Sequence, residues 1–134
     1  MPFVVDASVS ACWLLLDESD SRADAAFAKL DMDQAMVPAL WWFEIRNIFI
    51  INERRGRVDA ADTHRALALL EGLPILVDRT PDESLNLTLA RRHRLTVYDA
   101  AYLELALRNG LPLATLDAEL SAAARAENVE LLGT

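Results

Sequence analysis

The sequence has one cysteine, one lysine, two histidines and no excess of positive charge in its 134 residues, and each scarcity closes off a line of chemistry. A single cysteine, Cys12, cannot form an internal disulfide, and its setting in Ala11-Cys12-Trp13-Leu14 reads as a buried, inert thiol. The histidines, His64 and His93, lie outside the motifs described below and are expected at the surface. Lys29 is the only lysine, so twelve of the thirteen cations are arginines, the better residue for bidentate phosphate contacts. No apolar run approaches the length of a membrane span. The opening Met1-Pro2-Phe3-Val4-Val5-Asp6 lacks the basic stretch of a secretion signal, which makes the cytoplasm the expected location. The net charge of −8 argues against a broad cationic surface for duplex nucleic acid and is compatible with a basic protein partner.

What the sequence does have is apolar mass, at 53% hydrophobic residues, enough for one core and too short for two. No repeat, low-complexity tract or linker interrupts it, so residues 1–134 are expected to form a single domain. Short apolar runs read as strands at 3–6, 36–37, 74–78, 113–116 and 129–132. Between them, helical spacing predicts helices from Ser8 or Asp6 to about Asp17, and over Ser21–Leu30. Others run from Pro38 to the stop at Gly56, over Asp59–Glu71, from Thr80 to about Arg94, from Asp99 to Gly110 and over Asp117–Ala126. Strands alternating with helices predict an α/β fold, a short and mostly parallel sheet of about five strands covered by helices on both faces. The arginines gather in Arg54-Arg55-Gly56-Arg57 and Arg91-Arg92-His93-Arg94, at the ends of two of those helices, where cations are favourable in any case.

Four acids stand out against this background. Asp6 ends the first apolar run and Asp117 follows the run Leu113-Ala114-Thr115-Leu116, so a parallel sheet would bring both to the carboxyl edge, where ligands bind. Asp99 opens a helix. Glu44 sits in Leu40-Trp41-Trp42-Phe43-Glu44-Ile45, a setting in which a charge needs a partner or a function. Singly, each Asp has an ordinary explanation as a helix cap. Together, the acids repel one another unless a cation neutralises them, and an all-oxygen set suits Mg²⁺ or Mn²⁺. Asn47 shares a helix face with Glu44, and the hydroxyls of Ser8 and Thr115 lie two residues from Asp6 and Asp117, within reach to bond a carboxylate.

Val4-Val5-Asp6-Ala7-Ser8, Glu44-Ile45-Arg46-Asn47, Tyr98-Asp99-Ala100-Ala101-Tyr102 and Ala114-Thr115-Leu116-Asp117 resemble, in order, the motifs of PIN-domain ribonucleases, and most closely the VapC toxins of bacterial toxin–antitoxin pairs. The resemblance spans almost the whole chain. It implies a PIN-like α/β/α sandwich, dependence on Mg²⁺ or Mn²⁺, cleavage of single-stranded or loop RNA, a homodimer, and inhibition by a cognate VapB-type antitoxin. It places the catalytic and metal-holding acids at Asp6, Glu44, Asp99 and Asp117, with Ser8, Asn47 and Thr115 in support. Arg46 and the two arginine clusters are the candidates for guiding RNA toward a negative site.

Other readings compete. A phosphatase of the HAD type also opens with a strand and an Asp, but it needs a second Asp two residues on, where this chain has Ser8, and a late lysine that it lacks. A receiver domain fails on the same lysine. A housekeeping PIN nuclease without an antitoxin is another alternative. A non-catalytic PIN-like module is a further one, in which Trp13, Trp41, Trp42 and Phe43 form a groove for a partner helix unless they belong to the core.

Overall fold

Phe3, Val4 and Val5 are fully buried and form β1 (Phe3–Val5), the strand around which the computed structural model, describing residues 1–15 and 17–134, is organised. A strand buried on both faces is the mark of a parallel sheet covered by helices on each side. The chain continues through α1 (Ala7–Leu14) and α2 (Ser21–Lys29) to β2 (Ala35–Pro38), then through α3 (Leu40–Arg54) and α4 (Ala60–Glu71) to β3 (Ile75–Asp78). The helices α5 (Glu83–His93) and α6 (Val97–Asn109) pack on one another, and β4 (Leu113–Ala114) and α7 (Ala118–Ala126) complete the order. The four strands pair in parallel in the order β3-β2-β1-β4, so β1 and β4 are neighbours and their carboxyl ends lie side by side. The PIN-like α/β/α sandwich expected from the sequence is therefore present.

Helix α6 runs beneath this sheet, against β1, β2 and β4, and every residue from Ala100 to Ala106 is buried. One of them is Glu104, 1% exposed, whose charge is matched by Arg108 at 2.6 Å, with Arg108 bonding Asp78 at 2.7 Å. Of the four aromatics weighed as a groove, Trp41 is buried and Trp13 half-buried, whereas Trp42 and Phe43 are exposed.

Several boundaries differ from expectation. The fifth strand, 129–132, is reduced to a single bridge between Leu113 and Leu131. β4 is two residues long because Thr115 turns away toward Asp6, which leaves Leu113 alone to pair outward. Pro38 closes β2 instead of opening α3. β1 has ended by that register, so the N–H that proline lacks has no ladder partner to miss. Helix α1 stops at Leu14, short of Asp17, and Leu16 lies outside the described residues. Helix α5 starts at Glu83 because the carboxylate of Asp82 caps it, while the Thr80 hydroxyl turns to Asp78. Helix α6 starts at Val97 with Thr96 as its cap, which places Asp99 third in the helix. His93 is half-buried, with Nε2 2.6 Å from Glu127, and so is less superficial than expected, while His64 is exposed. Cys12 is buried and free, and burial pushes its thiol up.

Candidate active site

Asp6 is the N-cap of α1 and is 5% exposed, so its charge depends on what surrounds it. Its backbone N–H donates to the carbonyl of Ala114 at 3.1 Å, continuing the β1–β4 pairing to the last possible residue. Its Oδ1 accepts from the Val9 N–H at 3.1 Å and from the Ser8 hydroxyl at 2.7 Å, and its Oδ2 accepts from the Thr115 hydroxyl at 2.5 Å. The direction of both hydroxyl bonds is fixed from behind. Ser8 Oγ accepts the N–H of Leu116 at 3.1 Å, and Thr115 Oγ1 accepts that of Asp117 at 3.0 Å, so each hydroxyl proton is free to point at Asp6. Burial pushes the Asp6 carboxyl up, the donated bonds oppose that shift, and the negative charge of Asp117 adds to it.

The other acids come from three further helices. Asp117 is the N-cap of α7 and accepts the Leu120 N–H at 2.9 Å. Asp99, in the first turn of α6, is pushed up by burial and then by Asp117 and Glu119. Glu44, in the second turn of α3, is pushed up by burial and then, against a bond from Tyr102, by Asp99 and Asp6. The four acids thus share one electrostatic neighbourhood, each at or near the positive end of a helix that partly offsets its charge. Among the described residues no three carboxylate, imidazole or thiol groups converge tightly enough to hold one ion unaided. The donor chemistry still fits a hard cation: the acids supply oxygen alone, and Mg²⁺ takes one or two protein carboxylates while keeping several waters.

Of the supporting residues, Ser8 and Thr115 are where the sequence places them. Asn47 is exposed on α3, one turn beyond Glu44. Arg46 is directed elsewhere: its guanidinium stacks 3.8 Å from the Trp42 ring centroid and donates to the Trp42 carbonyl at 3.1 Å, and the charge acting on it is that of Glu71, not of the four acids. The residue that sequence reading missed is Tyr102, which is buried and donates its hydroxyl to Glu44 Oε1. The signal for it was its spacing, three residues after Asp99 and therefore on the same helix face.

The arrangement has relatives. A profile of the PIN domain matches residues 3–126. Ribonuclease VapC3 of Pyrobaculum aerophilum is 32% identical over 124 residues, covering 90% of this chain and 93% of the relative. Among solved structures, PAE2754 of Pyrobaculum aerophilum superposes with a TM-score of 0.70 at 29% identity, over 92% of this chain and 87% of that one. FitAcB of Neisseria gonorrhoeae gives a TM-score of 0.67 at 18% identity, over 98% and 96% of the two chains. VapC20 of Mycobacterium tuberculosis, a Sarcin-Ricin loop cleaving toxin, gives 0.62 at 17% identity, over 90% and 94%. The last two show likeness of fold alone.

Proposed function

Because the chain belongs to the PIN-domain family, we propose that it is a Mg²⁺- or Mn²⁺-dependent endoribonuclease, the toxin of a VapBC-type pair, cutting single-stranded or loop RNA. The observation that carries this reading is the buried Asp6 carboxylate, held by two hydroxyls whose own lone pairs are taken by the Asp117-bearing turn. A buried carboxylate so braced is costly unless it meets a positive charge.

Asp6, Asp99, Asp117 and Glu44 would hold the cation, and Ser8 and Thr115 would keep Asp6 oriented and ionised. When bound, the cation supplies Lewis acidity and positive charge at the scissile phosphate. The chain's own part in the proton transfer falls to Glu44. Its affinity for a proton is raised by burial, and among the described residues only its Oε1 is engaged, which leaves Oε2 to orient an attacking water and accept its proton. Arg46 is stacked on Trp42, so guidance of the RNA backbone falls more naturally to the exposed arginines Arg91 and Arg94, at the end of α5 and just before α6.

A VapB-type antitoxin fits a groove of about 350 Å³ lined by Leu14, Phe49, Val58, Ala66 and Leu69 and rimmed by Asp17, Arg57, Asp62 and Arg65. Its apolar floor suits one face of a partner helix, and a basic side chain reaching the acids would compete with the cation. A homodimer belongs to the same reading, and its mass in solution tests it. The nuclease reading is tested by incubating the protein and its Asp6→Asn variant with RNA and Mg²⁺. Cleavage by the first and not the second is expected, and equal cleavage by both would overturn the assignment.

A further inference from the structure

Tyr102 is buried, polar and unused by any step above. It is the bulkiest fully buried side chain among the described residues, and its hydroxyl donates to Glu44, 58 positions away on a different helix. A buried phenol needs an acceptor, and a backbone carbonyl would serve. Here the acceptor is instead the Glu44 carboxylate, on which the charges of both Asp99 and Asp6 act.

Consider Glu44 without that bond. It is half-exposed, its neighbours Trp42 and Phe43 reach into solvent, and among the described residues no other group bonds its carboxylate. Two like charges push on it from the site side, and a free glutamate would rotate outward to be hydrated. The helix beneath it has no such freedom. Trp41 Nε1 donates to Ser10 Oγ at 2.9 Å, and Ser10 Oγ donates to the Asp6 carbonyl at 2.9 Å, so α3 is tied to the backbone of Asp6. The remaining freedom is that of the Glu44 side chain, and the Tyr102 hydroxyl removes it. Because Tyr102 and Asp99 share one face of α6, the same rigid helix supplies one acid and aims another.

We infer that Tyr102 is a positioning residue whose hydroxyl holds Glu44 in the acid cluster against repulsion by Asp6 and Asp99, fixing Oε1 and leaving Oε2 available to the site. The inference rests on the nuclease reading for its purpose, but its physical content can be measured without catalysis.

Tyr102→Phe deletes one oxygen and keeps the ring. Loss of a group that orients a metal ligand weakens metal binding or activity by about tenfold or more, and that is the expected fall in Mn²⁺ affinity, followed by electron paramagnetic resonance of the free ion. A similar fall in kcat on RNA is expected, with KM unchanged. In a Glu44→Ala background the same substitution should change neither quantity further, because the two groups act as one unit. Wild-type Mn²⁺ affinity in Tyr102→Phe would overturn the inference, as would an equal loss with and without Glu44. A second measurement needs no change at Tyr102. Its hydroxyl proton, buried and bonded to a carboxylate, should appear as a slowly exchanging resonance in proton NMR and vanish in Glu44→Ala; persistence there would overturn the inference too. If neither the wild type nor any variant cuts RNA, the nuclease reading falls, while the Mn²⁺ cycle and the hydroxyl proton still decide the role of Tyr102.

Discussion

At the scale of single residues, Thr115 shows how one small side chain serves two acids. It donates to Asp6 in a buried bond and accepts from the partly buried backbone of Asp117. Thr115→Val keeps the shape and removes both bonds, leaving a buried acceptor and an amide donor unpaired. The expected cost is about 2 kcal/mol in chemical denaturation. A tenfold or larger loss of RNA cleavage should accompany it, since groups that orient metal ligands have effects of about that size. Ser8→Ala breaks the companion bonds and should act in the same direction with a smaller stability cost, because Ser8 is only partly buried. These hydroxyls could be picked out in the sequence because both lie two residues from an acid at a strand end. Tyr102 was harder to pick out. Its partner is fixed by how α6 crosses α3, a tertiary distance that helix periodicity does not encode. The direction of Arg46 was hidden for a related reason. Adjacency to Asn47 in sequence is a rotation of about 100° on a helix, which turns Arg46 onto Trp42 and away from the acids.

At the scale of elements, the site depends on α6 being held at a fixed height beneath the sheet. Glu104 does much of this. One of its oxygens accepts from the Asp82 N–H that begins α5 and from Arg108, which in turn bonds Asp78 at the end of β3. Three elements thus meet at one buried carboxylate. Glu104→Ala strands Arg108 with half its partners and leaves the Asp82 amide unpaired, so a loss of about 3 kcal/mol is expected on urea unfolding, the low end for breaking a buried pair because Arg108 is partly solvated. Glu104→Gln keeps an acceptor for the Asp82 amide and should lose less. Most elements were legible in the sequence to within a few residues: α2, α4 and α7 match closely because their apolar spacing is clear and an Asp caps each one. The starts of α5 and α6 were not, since each hinges on which of two nearby residues wins the cap, and α3 begins at Leu40 with no side-chain cap to mark it. Thr96 wins over Asp99 because its hydroxyl reaches the Asp99 amide, and that outcome frees the Asp99 carboxylate for the site. The fifth strand failed because pairing there depends on how far β4 stays in the sheet, which Thr115 decides through a contact 109 positions away.

At the scale of the whole molecule, the net charge of −8 divides into two populations with opposite pH behaviour. Asp17, Asp20, Asp33 and Asp78 are held below the usual carboxylate range by cationic partners, Asp20 down to about 2 by Arg22, and Glu127 is held low by its bonds to His93 and Arg92. Their contribution to stability is present above the ordinary carboxylate pKa and is lost as the pH falls through the lowered values. Asp6, Glu44 and Asp99 are pushed the other way by burial and by neighbouring carboxylates, Asp117 acting on both Asp6 and Asp99. For these, the folded state binds more protons than the unfolded chain between the ordinary value, about 4, and the raised one. Their contribution is therefore most favourable below that window and falls as the pH rises through it. Without a divalent cation, the thermal midpoint should rise from strongly acid pH as the paired acids ionise, then decline as the site acids do. Asp99→Asn should flatten the decline and stabilise the metal-free protein by up to roughly 1 kcal/mol, a modest amount because Asp99 is partly solvated. Mn²⁺ should abolish the decline in the wild type. Binding to the folded state at one hundred times its dissociation constant adds about 2.7 kcal/mol, and the gain should shrink as the pH falls and protons displace the ion. Thermal melts by circular dichroism across pH, with Mn²⁺ and with a chelator, measure all three. A metal-free midpoint that keeps rising above the carboxylate range would mean the four acids are not close enough to repel, and the site built on them would fail with that result.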